Sequence, residues 1–294
     1  MGKIKSFIEK YANATIQDVC FKEVIKDIHE VVIGVPFPIV SLWNGETIER
    51  IRNNYNEEIF YRAEDIYLRK DIENITEYGR VNSPYTSRFY GTLGDNNPDK
   101  ARITTLLETN KILRSEDLNS DVQQIFTTGL WEVKCDLRIL VLPFHPLAYK
   151  NSRLKYASEN FSKTIKEEFP EIATEVFGLV HFFSDHFGRK VLNHFDYKLT
   201  AAFGEVFLTD YGLDGIIYPS IRAEYETQNI VLTPQAAKNL NLYKVGMFEV
   251  FIHKNQVFYE PIAYCDKMDS NSPVFEWKYL ERLPIDEINK KIKK

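Results

Sequence analysis

The chain has 294 residues, 44% of them hydrophobic and 27% charged, with a formal net charge of −5. That composition fills a sizeable core and excludes a disordered chain; the acidic balance argues against a non-specific nucleic-acid binder, which would run basic. No apolar run reaches the about 18 residues of a membrane span, and the N-terminus MGKIKSFIEKYANATIQD is charged and amphipathic rather than a secretory leader, so a cytoplasmic protein is expected.

Ile4, Phe7, Ile8 and Tyr11, then Phe21, Val24, Ile25 and Ile28, fall at helical spacing. They predict two short helices, or one broken near Asn13. VVIGVPFPIVSLW follows, and its two prolines favour an extended, loop-like course. TIERIR alternates as a strand does, which places Arg50 and Arg52 on one face. After a mostly polar stretch comes GRVNSPYTSRFYGT (79–92), a loop punctuated by Gly79, Pro84 and Gly91. Residues 100–113 predict a helix with Ile103, Leu106, Leu107 and Ile112 towards its apolar side and Glu108 at the margin. WEVKCDLRILVLP (131–143) reads as a strand, 153–193 as mostly helical, and 197–212 as an apolar helix ending at Gly212. GIIYPS and NIVLTP read as short buried strands, and MFEVFIHKNQVFYEPI as a hairpin around Lys254 and Asn255. Helices and strands mix without a βαβ rhythm, so the fold class is α+β.

Several residue types in this order bear on chemistry. Arg80, beside Gly79 and near Asn82, suits a phosphate, whose oxygens its planar fork binds bidentately; a solvated loop charge is the commoner reading. Arg88 defaults to the surface. Tyr90 either stacks on a flat ligand or packs in the core. Glu108 is either a solvated boundary residue or a carboxylate facing a cleft. Ser220 and Arg222 end the strand GIIYP, but no GxSxG elbow surrounds the serine, so a hydrolase triad is not supported. His181, His186 and His194 are spaced by five and eight, not by the four of a helical zinc pair, and no metal site is expected. Cys20, Cys135 and Cys265 are few and far apart, as reduced thiols are. The glycine-rich dinucleotide and triphosphate loops are absent.

Taken in order, TIERIR, GRVNSPYTSRFYGT, ARITTLLETN and DGIIYPSIR with QNIVL behind it resemble the RES domain, a family named for an arginine, a glutamate and a serine. The resemblance runs over residues 45–235, and DGIIYPSIR is its most specific part. Two positions depart from the family pattern: Val81 stands where tryptophan is usual, and Tyr85 where glycine is common.

The resemblance implies an ADP-ribosyltransferase-like mixed sheet core with flanking helices. Residues 1–44 would form an N-terminal helical extension, 45–235 the RES-like catalytic domain, and 236–294 a C-terminal β-hairpin extension packed on that domain. It implies an enzyme that consumes NAD as substrate, with no cofactor and no metal. The nicotinamide–ribose bond is cleaved by hydrolysis or phosphorolysis, in a toxin-like protein with a separate antitoxin as partner. The alternatives are a protein ADP-ribosyltransferase and a non-catalytic nucleotide-binding or interaction module. Under this reading Glu108 stabilises the ribosyl cation, and Arg50 (or its neighbour Arg52) and Arg80 clamp the pyrophosphate. Tyr90 stacks on nicotinamide, and Ser220 hydrogen-bonds the ribose or the amide. Asn82, Tyr218, Arg222 and Asn229 complete the substrate pocket.

Overall fold

The computed structural model describes residues 2–56, 58–94, 97–110, 123–191, 193–253, 256–265 and 274–281. Its strands are β1 (Ile39–Leu42), β2 (Thr47–Asn54), β3 (Phe89–Leu93), β4 (Gln123–Val133), β5 (Leu137–Val141), β6 (Gly215–Pro219), β7 (Gln228–Leu232), β8 (Leu240–His253), β9 (Gln256–Cys265) and β10 (Lys278–Tyr279). They form one sheet in the order β1-β5-β6-β7-β3-β2-β4-β8-β9-β10. β5 and β6 pair in parallel and the other neighbours antiparallel, so the sheet is mixed. With its flanking helices this is the expected α+β architecture.

Successive residues of a strand point to opposite faces, and both faces of the central strands are apolar. Leu140, Ile216, Tyr218 and Val231 join one core cluster, while Ile139, Ile217, Ile230 and Leu232 join the other. The first face is covered by α1 (Gly2–Asn13), α2 (Phe21–Val32), α5 (Ala173–Phe187) and α6 (Lys198–Glu205). Their buried stripes follow helical spacing: Phe7 and Tyr11 on α1, and Val24, Ile28, Val31 and Val32 on α2. α3 (Pro98–Thr109) packs on β2 and β3 on the same face. α4 (Ser152–Glu168) spans both layers, with Leu154 in the second cluster and Ile165 against Val176 and Val180 of α5. A single-turn α7 (Pro234–Ala237) adds Ala236 and Ala237 to the second cluster.

Four local readings need correction. The segment read as one strand over 131–143 is two, because Lys134, Cys135 and Asp136 are exposed and the chain leaves β2 there to pair with β1 and β6. The proline-bearing segment read as loop-like includes β1, which satisfies its backbone against β5. The apolar helix over 197–212 ends as α6 at Glu205 and continues as a π-helical turn, Val206–Asp210. Ile103 is 53% exposed, since α3 turns its Thr104 and Thr105 inward instead. Ile112 lies outside the described residues, as do Lys254 and Asn255 between β8 and β9.

Candidate functional site

Strand register assembles a polar row on the face that α3 covers. Tyr218 of β6 lies opposite Asn229 of β7, Asn229 opposite Thr92 of β3, and Thr92 opposite Glu49 of β2. Thr92 Oγ1 donates to Asn229 Oδ1 (3.3 Å). α3 begins at an Asn97 cap, whose side chain accepts from the Lys100 amide (3.1 Å). It is tied to the sheet through Arg102 Nε, which donates to Glu49 Oε1 (3.0 Å), and through a Thr104–Thr227 hydroxyl contact (2.9 Å). Glu49 is 1% exposed and also accepts from the Thr128 hydroxyl. Burial pushes its carboxyl up, against the pull of Arg102.

Two turns along α3 from Arg102, Glu108 reaches the end of β6. Its Oε1 accepts from Ser220 Oγ (2.7 Å) and from Asn229 Nδ2 (2.9 Å). Ser220 is fully buried and Asn229 nearly so, while Glu108 is half-buried. Oε2 has no hydrogen-bond partner among the described residues. One carboxylate oxygen is therefore held by two buried donors and the other is left for a ligand. Ser220 Oγ also accepts from the Ala223 amide (3.3 Å), which fixes the hydroxyl in a local turn. The Tyr218 ring is 4% exposed beside this group, and burial pushes its hydroxyl pKa up.

The GRVNSP loop is a tight turn in which the Gly79 amide donates to the Asn82 carbonyl (2.9 Å). A Cβ on Gly79 would sit 2.3 Å from Asn82 Oδ1, so any larger residue must displace the Asn82 side chain. Tyr90 locks the turn: its hydroxyl donates to Asn82 Oδ1 (2.7 Å) and accepts from the Val81 amide (3.0 Å). Its ring packs on the first core cluster, so Tyr90 is a brace for the loop rather than an open stacking platform. Val81 is fully buried against Gly204 of α6, where an added Cβ would lie 2.6 Å from Val81 Cγ1. A larger side chain at 81 would have to displace α6. Tyr85 is exposed and keeps the positive φ (62°) that a glycine would adopt freely.

Arg80 caps a helix. Its Nη1 donates to the Phe187 carbonyl (2.6 Å), with His186 and Arg189 carbonyls at 3.4–3.5 Å, at the negative end of the α5 dipole. Its guanidinium lies over the rings of Tyr197 (4.9 Å) and Tyr218 (5.7 Å). Arg88, expected at the surface, has a side chain only 9% exposed and faces Glu205 at 3.5 Å.

Arg50 and Arg52 do share a face of β2, but it is the face opposite Glu108. Arg50 is 6% exposed and lies over Phe89 of the second cluster (4.7 Å). All three of its nitrogens donate to main-chain carbonyls, of Ile66 (3.1 Å), Tyr67 (2.8 Å) and Tyr90 (2.6 Å). Burial lowers its pKa, and Arg52 adds to the effect. Arg52 Nη2 donates to the same Tyr67 carbonyl (3.1 Å). The expected pyrophosphate clamp by Arg50 or Arg52 is therefore not assembled at Glu108. Arg222, two residues after Ser220, is half-buried and makes no hydrogen bond or ion pair among the described residues.

The structure thus brings together Glu108, Ser220, Asn229 and Tyr218, with Arg80, Tyr90 and Asn82 behind them; Arg222 follows Ser220 by two residues. Sequence reading missed Thr92 and the Glu49–Arg102 tie. The alternation of TIERIR was the available signal, since it turns Glu49 away from Arg50 and towards α3. Of the histidines, His186 Nδ1 lies 2.8 Å from the Phe182 carbonyl, His194 stacks on Tyr78, and His181 packs against Phe144. Among the described residues no group of three or more His, Cys, Asp or Glu is placed to hold a metal ion.

Fold and site together define an α+β protein with a carboxylate positioned on one face of a mixed sheet. The family model of the RES domain matches residues 128–249. That span contains Tyr218, Ser220, Arg222 and Asn229; Arg50, Arg80, Tyr90 and Glu108 precede it. RES domains are associated with NAD and with toxin–antitoxin systems. No curated protein matches the chain. No helix among the described residues is long and apolar enough to cross a membrane.

Proposed function

We propose that the chain consumes NAD by cleaving the nicotinamide–ribose bond, with water or phosphate as acceptor. The observation that supports this best is the half-buried Glu108 carboxylate, held through Oε1 by Ser220 and Asn229 with Oε2 left unpartnered. As the C–N bond breaks, its electron pair leaves on the nicotinamide nitrogen and positive charge develops on the ribose. A fixed carboxylate stabilises that charge without reorganising. The acceptor then forms the new C–O bond and gives up a proton. In this reading Oε2 hydrogen-bonds a ribose hydroxyl, and Ser220 and Asn229 act through Glu108 as positioning residues. Arg222 meets the pyrophosphate, while Arg50 and Arg80 hold the scaffold that shapes the pocket.

Such a protein depletes a shared metabolite, so a toxin-like role in the cytoplasm with a separate inhibitory protein belongs to the same reading. The catalytic unit would be residues 45–235, with the segments on either side as extensions. The test is nicotinamide release from NAD by the purified protein, with and without phosphate, beside Glu108→Gln. Release that depends on phosphate identifies phosphorolysis; release without it identifies hydrolysis. Equal release by Glu108→Gln would refute the assignment of the carboxylate.

A further inference from the structure

A concave region lies beside the helix end that Arg80 caps. A cleft of about 490 Å³ opens between the connector of α1 and α2 and the segment that follows α5. Ile16 and Leu199 supply apolar wall; Arg189 and Lys190 supply positive charge. Clefts of about 300–1,000 Å³ hold small organic ligands.

The charge arrangement is incomplete as it stands. The side chains of Arg189 and Lys190 make no hydrogen bond or ion pair among the described residues. Burial lowers the Arg189 pKa; the nearby Asp196 carboxylate pulls it back up, and the guanidinium of Arg80, bonded to the carbonyls of residues 186, 187 and 189, adds a smaller push down. Asp196 is the acidic residue in the lining, and it partly serves the turn that starts at Asn193, whose amide it accepts (3.4 Å). Burial pushes the His186 pKa down to about 4, so this lining imidazole is neutral near pH 7 and adds no charge of its own. Two cations against one carboxylate leave the cleft lining net positive in a chain of net charge −5. An anion there offsets the desolvation of Arg189 and the repulsion from Arg80.

We propose that this cleft binds a small organic phosphate of nucleotide size. Its phosphate meets Arg189 and Lys190, and its apolar body lies against Ile16 and Leu199. The site is linked to Glu108 through Arg80, which ties the cleft wall to the Tyr218 ring. The proposal does not depend on NAD cleavage.

Isothermal titration with adenosine monophosphate tests it, on the wild-type chain, on the double variant Arg189→Gln/Lys190→Gln, and on Glu108→Gln. Inorganic phosphate and adenosine are titrated separately. Both cleft positions are exposed, and the fold of each variant is checked by circular dichroism. The nucleotide is expected to bind the wild-type and Glu108→Gln chains alike. Binding should weaken about tenfold or more in the double variant, as loss of charge-assisted contacts does. Phosphate alone and adenosine alone should each bind more weakly than the nucleotide.

The proposal is overturned if the nucleotide does not bind at millimolar concentration, or if the double variant binds it unchanged. It is also overturned if Glu108→Gln, and not the double variant, abolishes binding, or if phosphate alone binds as tightly. Nucleotide binding without any nicotinamide release would uphold the cleft while removing the reading of Glu108.

Discussion

Replacing Ser220 with alanine removes a buried hydroxyl whose whole visible task is to hold Glu108 Oε1 (2.7 Å) and close its own turn. A hydrogen bond to a charged group contributes about 1.5–3 kcal/mol. If that energy orients the carboxylate in the transition state, turnover falls by about 10–100-fold at 1.4 kcal/mol per tenfold. Asn229→Ala removes the other donor (2.9 Å) and should act similarly. Because both donors act through one carboxylate, the double variant should lose no more than Glu108→Gln loses, well short of the product of the single effects. The assay is nicotinamide release from NAD, with kcat and KM measured for the wild type and the four variants. The loss should appear in kcat. A Ser220→Ala variant altered only in KM, with effects that multiply across the pair, would mean that Ser220 contacts substrate directly, and the positioning argument would fail.

The two arginine classes should separate cleanly. Arg50→Met strands the carbonyls of Ile66, Tyr67 and Tyr90 and should cost about 3–5 kcal/mol in urea unfolding, whereas Arg222→Gln should change stability by less than about 0.5 kcal/mol and raise KM for NAD. Unfolding free energies in the reverse order would refute the placement. His186 has its pKa lowered by burial from 6.5 to about 4, so between these values the unfolded chain takes up a proton that the folded chain does not. Stability from this source is full above about pH 6.5 and declines by about 2–3 kcal/mol as pH falls towards about 4. His186→Gln should flatten that part of the denaturation profile, and an unchanged slope would exclude the buried imidazole as its origin. Gly79→Ala drives a Cβ against Asn82 Oδ1 and should lower stability by about 1–3 kcal/mol, read as a drop in Tm; an unchanged Tm would show that the turn relaxes.

Much of this protein was legible in its chain order. Helical spacing marked α1 and α2, the apolar runs GIIYP and NIVL marked β6 and β7, and the motif order pointed to the RES domain, because local periodicity and short motifs are properties of contiguous residues. Glu108 and Ser220 could be singled out in the same way. What the sequence alone could not decide was which arginine has a free donor. Arg50, Arg80 and Arg222 look alike in isolation, but the fold turns Arg50 to the opposite sheet face among carbonyls, sets Arg80 on the end of α5, and leaves Arg222 beside Ser220. Nor could it show that Ser220 and Asn229 share one carboxylate oxygen, since they meet Glu108 across 112 and 121 residues of chain. Partners at such separations are set by strand register and by the seating of α3 on the sheet, and those are decided only when the whole core packs.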